Sequence, residues 1–463
     1  MEQVISQIED VVPEELIHKL SNTASFGETR RPAEFSASGA STYSVGSSNL
    51  IRIPINGVEY LDPSTVLVQF TINNAETVPN AALLLRNLGS PNLFFSRVTL
   101  EMAGKVVHNI DNYPRFCTTQ QALNSKASNV DLDSKAFGRR FDMDKFRDQG
   151  NTYTALNYSG IPGGQGMVVT MKLFLGMFDQ KKYLNLKFCP MVLTLYLCAN
   201  ATDPIIDAVA PFSGADTSIL WNITNPKVTC DLVTLSSELD NFYSETLLGY
   251  TDKDGVKHEP AMFRIEYTDH HTISSVVPPA TYDHTFNVHR SISKLNKILC
   301  TLEGPRTVDN GALCAPVAGK YGFDLWSPMM NYANTSGDDR NALGEIEAFE
   351  VIIGSRRWPS GREIQSYSQA MSELQKAVGY KSNAVHGMDI SRKEYHNNKF
   401  IAGFNTQVLS ENSLTGISLQ NGLPVSVRIK HNQMTNNNMA KVHVTLENSQ
   451  IIEIMSTGIN VLV

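Results

Sequence analysis

Alternation with a period of two runs through this chain and constrains its fold more than any motif. In residues 65–73 (TVLVQFTIN), Val66, Val68, Phe70 and Ile72 fall on one side, and Thr65, Leu67, Gln69, Thr71 and Asn73 on the other. Successive strand side chains point to opposite faces, so this is the pattern of a half-buried β-strand. The same alternation recurs at 167–175 (Met167, Val169, Met171, Leu173, Leu175), 183–188, 191–198 (Met191, Leu193, Leu195, Leu197), 228–234, 263–267, 423–430 (Leu423, Val425, Val427, Ile429) and 441–447 (Val442, Val444, Leu446). Gly, Pro, Asn and Ser separate these runs, and many short strands between such turn residues predict an antiparallel sandwich or barrel.

Helices are few. Ser360-x-x-Glu363 is a capping box, followed by Ile364, Tyr367, Met371, Leu374 and Val378 at steps of three and four, with Gly379 where a helix stops. Two more helices are predicted at 113–127 and 237–247. A chain of 463 residues is long enough for two large domains or three small ones, and buries a core without disulfides or metals. The stretch 199–218 (ANATDPIIDAVAPFSGADTS) is rich in Ala, Asp and Pro and predicts the divide. The order of elements on either side is similar, ending in the alternating runs 183–198 and 423–446, so two copies of one sandwich plan are expected. The expected organisation is an N-terminal arm at 1–40, a first sandwich at 41–215 and a second at 216–463. Val4, Ile8 and Val11 form one stripe of a short amphipathic piece ahead of a Ser/Ala/Gly-rich stretch, expected to be a tail that orders against a partner.

A search for chemistry returns little. Charged residues make up 18% of the chain, against about 25% for an average soluble protein. A net charge of −7 excludes a surface devoted to nucleic acid. The basic pairs Arg30-Arg31, Arg139-Arg140, Lys181-Lys182 and Arg356-Arg357 are scattered and read as solvated surface. The six cysteines, Cys117, Cys189, Cys198, Cys230, Cys300 and Cys314, lack metal-ligand spacing and read as reduced, buried thiols of an intracellularly made chain. His270-His271 would face opposite sides of a strand and so could not share one ion. The acids Asp131, Asp133, Asp142, Asp144 and Asp148 lack calcium-loop spacing and alternate with bases. The Gly-rich turn 160–166 has no following Lys-Ser/Thr, and no G-x-S-x-G elbow occurs. No catalytic, cofactor or metal residues are therefore assigned. The acidic N-terminus and the lack of an 18-residue apolar run predict neither a secretion signal nor a membrane anchor, which makes the sequons at Asn157, Asn200, Asn222 and Asn334 chance matches.

The order of the segments points to a family. NLIRIPIN at 49–56 followed by EYLDPSTVLVQFTI at 59–72 resembles the opening strands of double jelly-roll major capsid proteins. NLFFSRVTLEMAGKVV at 92–107 then leads to Tyr113-Pro114-Arg115-Phe116 at a helix start. FDQKKYLNLKFCPMVLTL at 178–195 is similar to the family's Lys-Tyr-Leu-Pro-Leu segment and the strand after it, with Asn185 where Pro is common. PKVTCDLVTLS at 226–236, 357–379, 413–430 and 450–463 continue the order through the second half. Each motif is weakly specific, and their sequence along the chain carries the resemblance, which is nearest in length to capsid proteins of virophages, polinton-like viruses and adintoviruses.

The resemblance implies an all-β chain of two consecutive eight-stranded antiparallel jelly-roll sandwiches with a few short helices in the inter-strand loops. It implies a homotrimer that mimics a hexamer and tiles the facets of an icosahedral double-stranded DNA virus beside neighbouring capsomers, a penton protein and other minor capsid proteins. The N-terminal arm would lie inside, against a neighbour, an inner membrane or the genome, with Val4, Ile8 and Val11 as its assembly contacts. Such a chain is made in the host cytoplasm, resides in the virion, and takes no cofactor or small-molecule substrate. Two rival readings are a lectin-like carbohydrate-binding pair of sandwiches using exposed Trp221, Trp326 and Trp358, and an enzyme on a β-sandwich scaffold.

Overall fold

The computed structural model describes residues 27–79, 81, 83, 91–124, 161–201, 203–205, 218–251, 257–278, 283–303, 346–359, 363–364, 367–379, 390, 395, 400–407, 415–420, 422–431, 441–456 and 458–462. The first half contains β1 (Gly27–Ser36), β2 (Thr42–Tyr43), β3 (Leu50–Ile55), β4 (Tyr60–Asn74), β5 (Phe95–Met102), β6 (Lys105–Asp111), helix α1 (Tyr113–Asn124), β7 (Gly166–Met171), β8 (Leu184–Asn185), β9 (Met191–Leu197) and β10 (Trp221–Leu235). Helix α2 (Ser237–Leu248) and the small ribbon β11 (Tyr250–Thr251) and β12 (Lys257–His258) follow. The second half contains β13 (Phe263–Val276), β14 (Asp283–Val288), β15 (Leu295–Glu303), β16 (Ile346–Ile353), β17 (Arg356–Trp358), helix α3 (Tyr367–Val378), β18 (Ala402–Asn405), β19 (Val425–His431), β20 (Lys441–Met455) and β21 (Gly458–Leu462).

Leaving aside the two-residue strands β2 and β8, the first half supplies eight strands. They pair as β1-β10-β4-β7 in one sheet and β3-β9-β5-β6 in the other. In chain order that is first-eighth-third-sixth facing second-seventh-fourth-fifth. Leaving aside β21, which pairs with the end of β20, the second half pairs β13-β20-β15-β18 and β14-β19-β16-β17, which is the same order again. Two antiparallel four-stranded sheets wound in this way are a jelly roll, and the chain builds it twice. The alternation read from the sequence supplies the inner faces: Val66, Val68, Phe70 and Ile72 of β4 are buried while Leu67, Gln69 and Thr71 are partly exposed. Aromatic pairs join the sheets across each core, Phe70 with Phe95 edge-on at 5.5 Å in the first and Phe349 with Phe404 stacked at 5.8 Å in the second.

Three local expectations change. The arm expected at 1–40 includes β1, which pairs with β10 from Gly27↔Leu235 to Ser36↔Lys227. Its sequence, GETRRPAEFS, lacks apolar alternation because it is an exposed edge held by backbone bonds, and Pro32 takes a donor away from that edge. The boundary expected at 215/216 falls before β10, yet β10 lies between β1 and β4 of the first sandwich. The run at 191–198 is therefore the seventh strand, not the closing one. Ser360 of the capping box lies outside the described residues, but Ile364, expected within the helix, exchanges backbone hydrogen bonds with Phe349 of β16 instead (3.0 and 2.9 Å), and α3 spans Tyr367–Val378. Helices α1 and α2 form where expected.

Candidate assembly surface and the joint behind it

Strands β13 and β20 pair along their whole length, from Phe263↔Ile454 to Val276↔Lys441, and belong to both sandwiches. On one face of β20, Val442, Val444 and Leu446 sit in the second core, and Ile452 and Ile454 in the first. Asn448 and Gln450 lie between them. On β13, Ile265 and Tyr267 join the first core and Ile273 packs on the second, with Asp269 and His271 between. Helix α1 crosses the other way, placing Ala122 and Leu123 in the second core. The halves are thus welded by shared strands and exchanged apolar residues.

A polar seam runs through this joint. The buried His108 of β6 bonds through Nδ1 to Oδ1 of the buried Asp269 at 2.6 Å. Its Nε2 accepts the Met177 backbone N–H at 3.1 Å, so the hydrogen is on Nδ1 and His108 donates to the carboxylate. The other carboxylate oxygen receives Gln450 Nε2 at 3.3 Å and faces His271 Nε2 at 3.4 Å. Tyr267 donates its hydroxyl to Gln450 and lies within hydrogen-bond reach of the Val107 carbonyl. Burial alone would push the Asp269 carboxyl up, but His108 and His271 beside it hold it below the usual range. Burial pushes His271 down. The backbones also touch: a Cβ on Gly176 would stand 2.0 Å from the Thr268 carbonyl oxygen.

His270 and His271 point to opposite faces. His270 faces Glu447 at 3.5 Å, and Lys297 reaches the same carboxylate at 2.8 Å. Against the cost of burial, these two partners bring the Glu447 carboxyl down to about 2. Among the described residues no group of three His, Cys, Asp or Glu side chains is placed to hold a metal. No helix among them is long and apolar enough to cross a membrane. The thiols of Cys117, Cys189, Cys198, Cys230 and Cys300 are buried and free. Burial pushes Cys189, Cys198 and Cys230 up to about 12.

Of the three tryptophans in the lectin-like reading, the two described ones, Trp221 and Trp358, are not exposed platforms. Trp221 is buried against Phe94 and donates Nε1–H to the Ala201 carbonyl at 2.8 Å, and Trp358 is half-buried on the second core. Val4, Ile8, Val11, Trp326, Cys314, Arg139-Arg140 and the acidic cluster 131–148 lie outside the described residues. Arg30 and Arg31 are surface residues, but each is tied to carboxylates, Arg30 to Asp231 (2.7 Å) and Asp62 (2.8 Å), Arg31 to Glu59.

Exposed apolar side chains gather where the first sandwich meets α2. Phe242 is 61% exposed and Leu248 58%, with Tyr250 and Met262 close by. The helix is seated by its opposite face: Leu247 is in the first core, and Tyr243 stacks on Phe263 and meets Tyr60 edge-on. The sequence showed the helix but not this surface, because apolar residues on both faces read as core until the seated face is known. The joint left a fainter trace: Asn448-Ser449-Gln450 breaks the alternation of β20, which reads as a strand end.

No family model and no curated protein matches the sequence. Solved structures do match in shape. The VP54 protein of PBCV-1, in a crystal structure fitted into a reconstruction of the Sputnik virophage, is 10% identical, covers 96% of this chain and 99% of that chain, and superposes with a TM-score of 0.59. A chain of the Sputnik virophage structure is 10% identical over 98% and 92%, with a TM-score of 0.56. The Faustovirus major capsid protein is 8% identical over 97% and 94%, with a TM-score of 0.54. Both sandwiches and their arrangement are matched together, and the chain has the double jelly-roll fold found in these viral proteins.

Proposed function

We propose that this chain is a major capsid protein of an icosahedral double-stranded DNA virus, a structural protein and not an enzyme, assembling as trimers that tile the shell. The observation that carries the reading is the repeated strand order in two sandwiches joined by β13 and β20. Such a block supplies two like-shaped units in fixed register, so three chains would supply six units around a three-fold axis and fill a near-hexagonal lattice site. A hinged pair of domains could not hold that register. The whole-length likeness to viral capsid structures supports the same reading.

In this reading the first jelly roll comprises 27–235, the second begins at 263, and α2 with its ribbon connects them. Residues 1–26, with Val4, Ile8 and Val11, serve as an inner arm against a neighbouring capsomer, a minor capsid or penton protein, a membrane or the genome. The protein is made in the host cytoplasm and resides in the virion. Electron microscopy of the purified protein tests the proposal. Hexagonal blocks with three-fold symmetry and a species near three times 51.2 kDa are expected, and isolated monomeric particles overturn it.

A further inference from the structure

We propose that the outward stripe of α2 and the neighbouring lysine-rich loop form one self-complementary surface through which two copies of this chain meet about a two-fold axis. The stripe is Glu238, Phe242, Glu245 and Leu248, four exposed residues at steps of three and four, acid alternating with apolar. The loop carries exposed Lys181, Lys182, Tyr183 and Lys187. Contacts fix the two as neighbours. Strand β8, just after Tyr183, pairs with Tyr60 and Leu61, and the Tyr60 hydroxyl donates to Asp240 of α2 at 2.9 Å. Phe188 lies 6.3 Å from Tyr243 of α2, and the Lys187 ammonium stands over the Phe188 ring at 5.5 Å.

Three features single out a second copy as the occupant. Large apolar side chains, Phe242, Leu248, Tyr183 and Met262, are exposed, and Phe, Tyr and Met are residue types that interface cores favour. Their charges are unspent: among the described residues Lys181, Lys182, Glu238 and Glu245 make no ion pair within the chain, whereas Arg30, Arg31 and Arg428 do. Finally, the loop that carries the lysines borders α2 through Tyr60 and Phe188, which meet Asp240 and Tyr243, so a basic segment flanks an acidic one. A two-fold rotation sets each half on its opposite in the partner, so the patch is complementary to itself. A head-to-tail ring contact would instead need its two halves on separate faces, so this contact is distinct from the one that closes a trimer. It rests on the capsid reading only in where it would act, between adjacent trimers.

Two charge-reversed variants of the full chain test it. Glu238→Lys with Glu245→Lys turns the acidic stripe basic, and Lys181→Glu with Lys182→Glu turns the loop, which keeps Lys187, mainly acidic. Sedimentation velocity of the unaltered protein should show concentration-dependent pairing of its basal species. Each variant alone should pair at least about tenfold more weakly, since like charges then face each other twice across the axis. An equimolar mixture should recover pairing to within about threefold of the unaltered protein, because both halves are again matched in the mixed pair. Circular dichroism should be unchanged, the altered side chains being exposed. Absence of pairing in the unaltered protein, unimpaired pairing in either variant, or failure of the mixture to recover overturns the proposal. The basal species reads out the capsid reading separately: a monomer defeats the trimer, while rescue in the mixture would still establish the two-fold contact.

Discussion

Replacing Asp269 with alanine should loosen the joint between the two sandwiches more than any comparable surface change. The carboxylate is buried and takes a 2.6 Å bond from His108 and a 3.3 Å bond from Gln450. A hydrogen bond to a charged group contributes roughly 1.5–3 kcal/mol, and each buried donor left without a partner costs about 1–3 kcal/mol. Because relaxation and water recover part of that, the expected loss is about 3–5 kcal/mol. Against a total of about 5–15 kcal/mol for a domain, this is a large fraction. Urea denaturation at pH 7 followed by tryptophan fluorescence, with Trp221 in the first core, measures it. Amide exchange at Met177 reports on the joint itself, since that N–H is held by His108. Asp269→Asn keeps an oxygen for His108 and should cost roughly half as much. A loss below about 1 kcal/mol with Met177 protection unchanged would refute the reasoning, because the seam would then carry little of the docking energy.

Other perturbations follow from the same geometry. Gly176→Ala drives a methyl into the Thr268 carbonyl and should lower stability by about 1–3 kcal/mol in thermal denaturation, as overpacking does. Ile452→Ala, on a strand of the second sandwich, should cost about 2–5 kcal/mol and should reduce hydrogen-exchange protection in β9 of the first, whose core it fills. Acid should weaken the joint in two stages. His271, with its folded pKa below 6.5, contributes stability lost as pH falls below 6.5, when the unfolded chain takes the proton first; Asp269 follows as pH falls below 3.8 through its lower folded value. His271→Gln should remove the first stage from a stability profile across pH 7 to 5. Alkylation of Cys117, Cys189, Cys198, Cys230 and Cys300 should be negligible in buffer and complete in denaturant, as mass spectrometry would show.

Much of the fold is legible in the sequence because strand burial writes itself in alternate residues. β4, β9, β19 and the start of β20 can be read that way, and so can the repetition of one plan. β1 cannot, because an exposed edge strand is held by its backbone and leaves its side chains free to be Arg, Pro or Glu. The exposed apolar face of α2 was also hidden. Phe242 and Tyr243 are both large aromatic rings, and only the contacts of Tyr243 with Tyr60 and Phe263 show which one faces outward. Ile364 misled for the opposite reason: its place in a helical spacing lost to pairing with Phe349.

By itself the sequence determined that the chain is β-rich, that Cys117, Cys189, Cys198, Cys230 and Cys300 are buried thiols, and that it repeats a sandwich. These are properties of side chains near one another along the chain, where periodicity is recorded. Only the tertiary structure decided that β10 closes the first sandwich and that β13 and β20 serve both. Only it decided that Asn448, Gln450 and Asp269 belong at a joint. The partners that make Asp269 and Gln450 tolerable come from far along the chain, and His108 lies 161 positions from Asp269. A buried carboxylate or amide is stable only where such partners converge, and convergence is a property of the folded chain that no local pattern encodes.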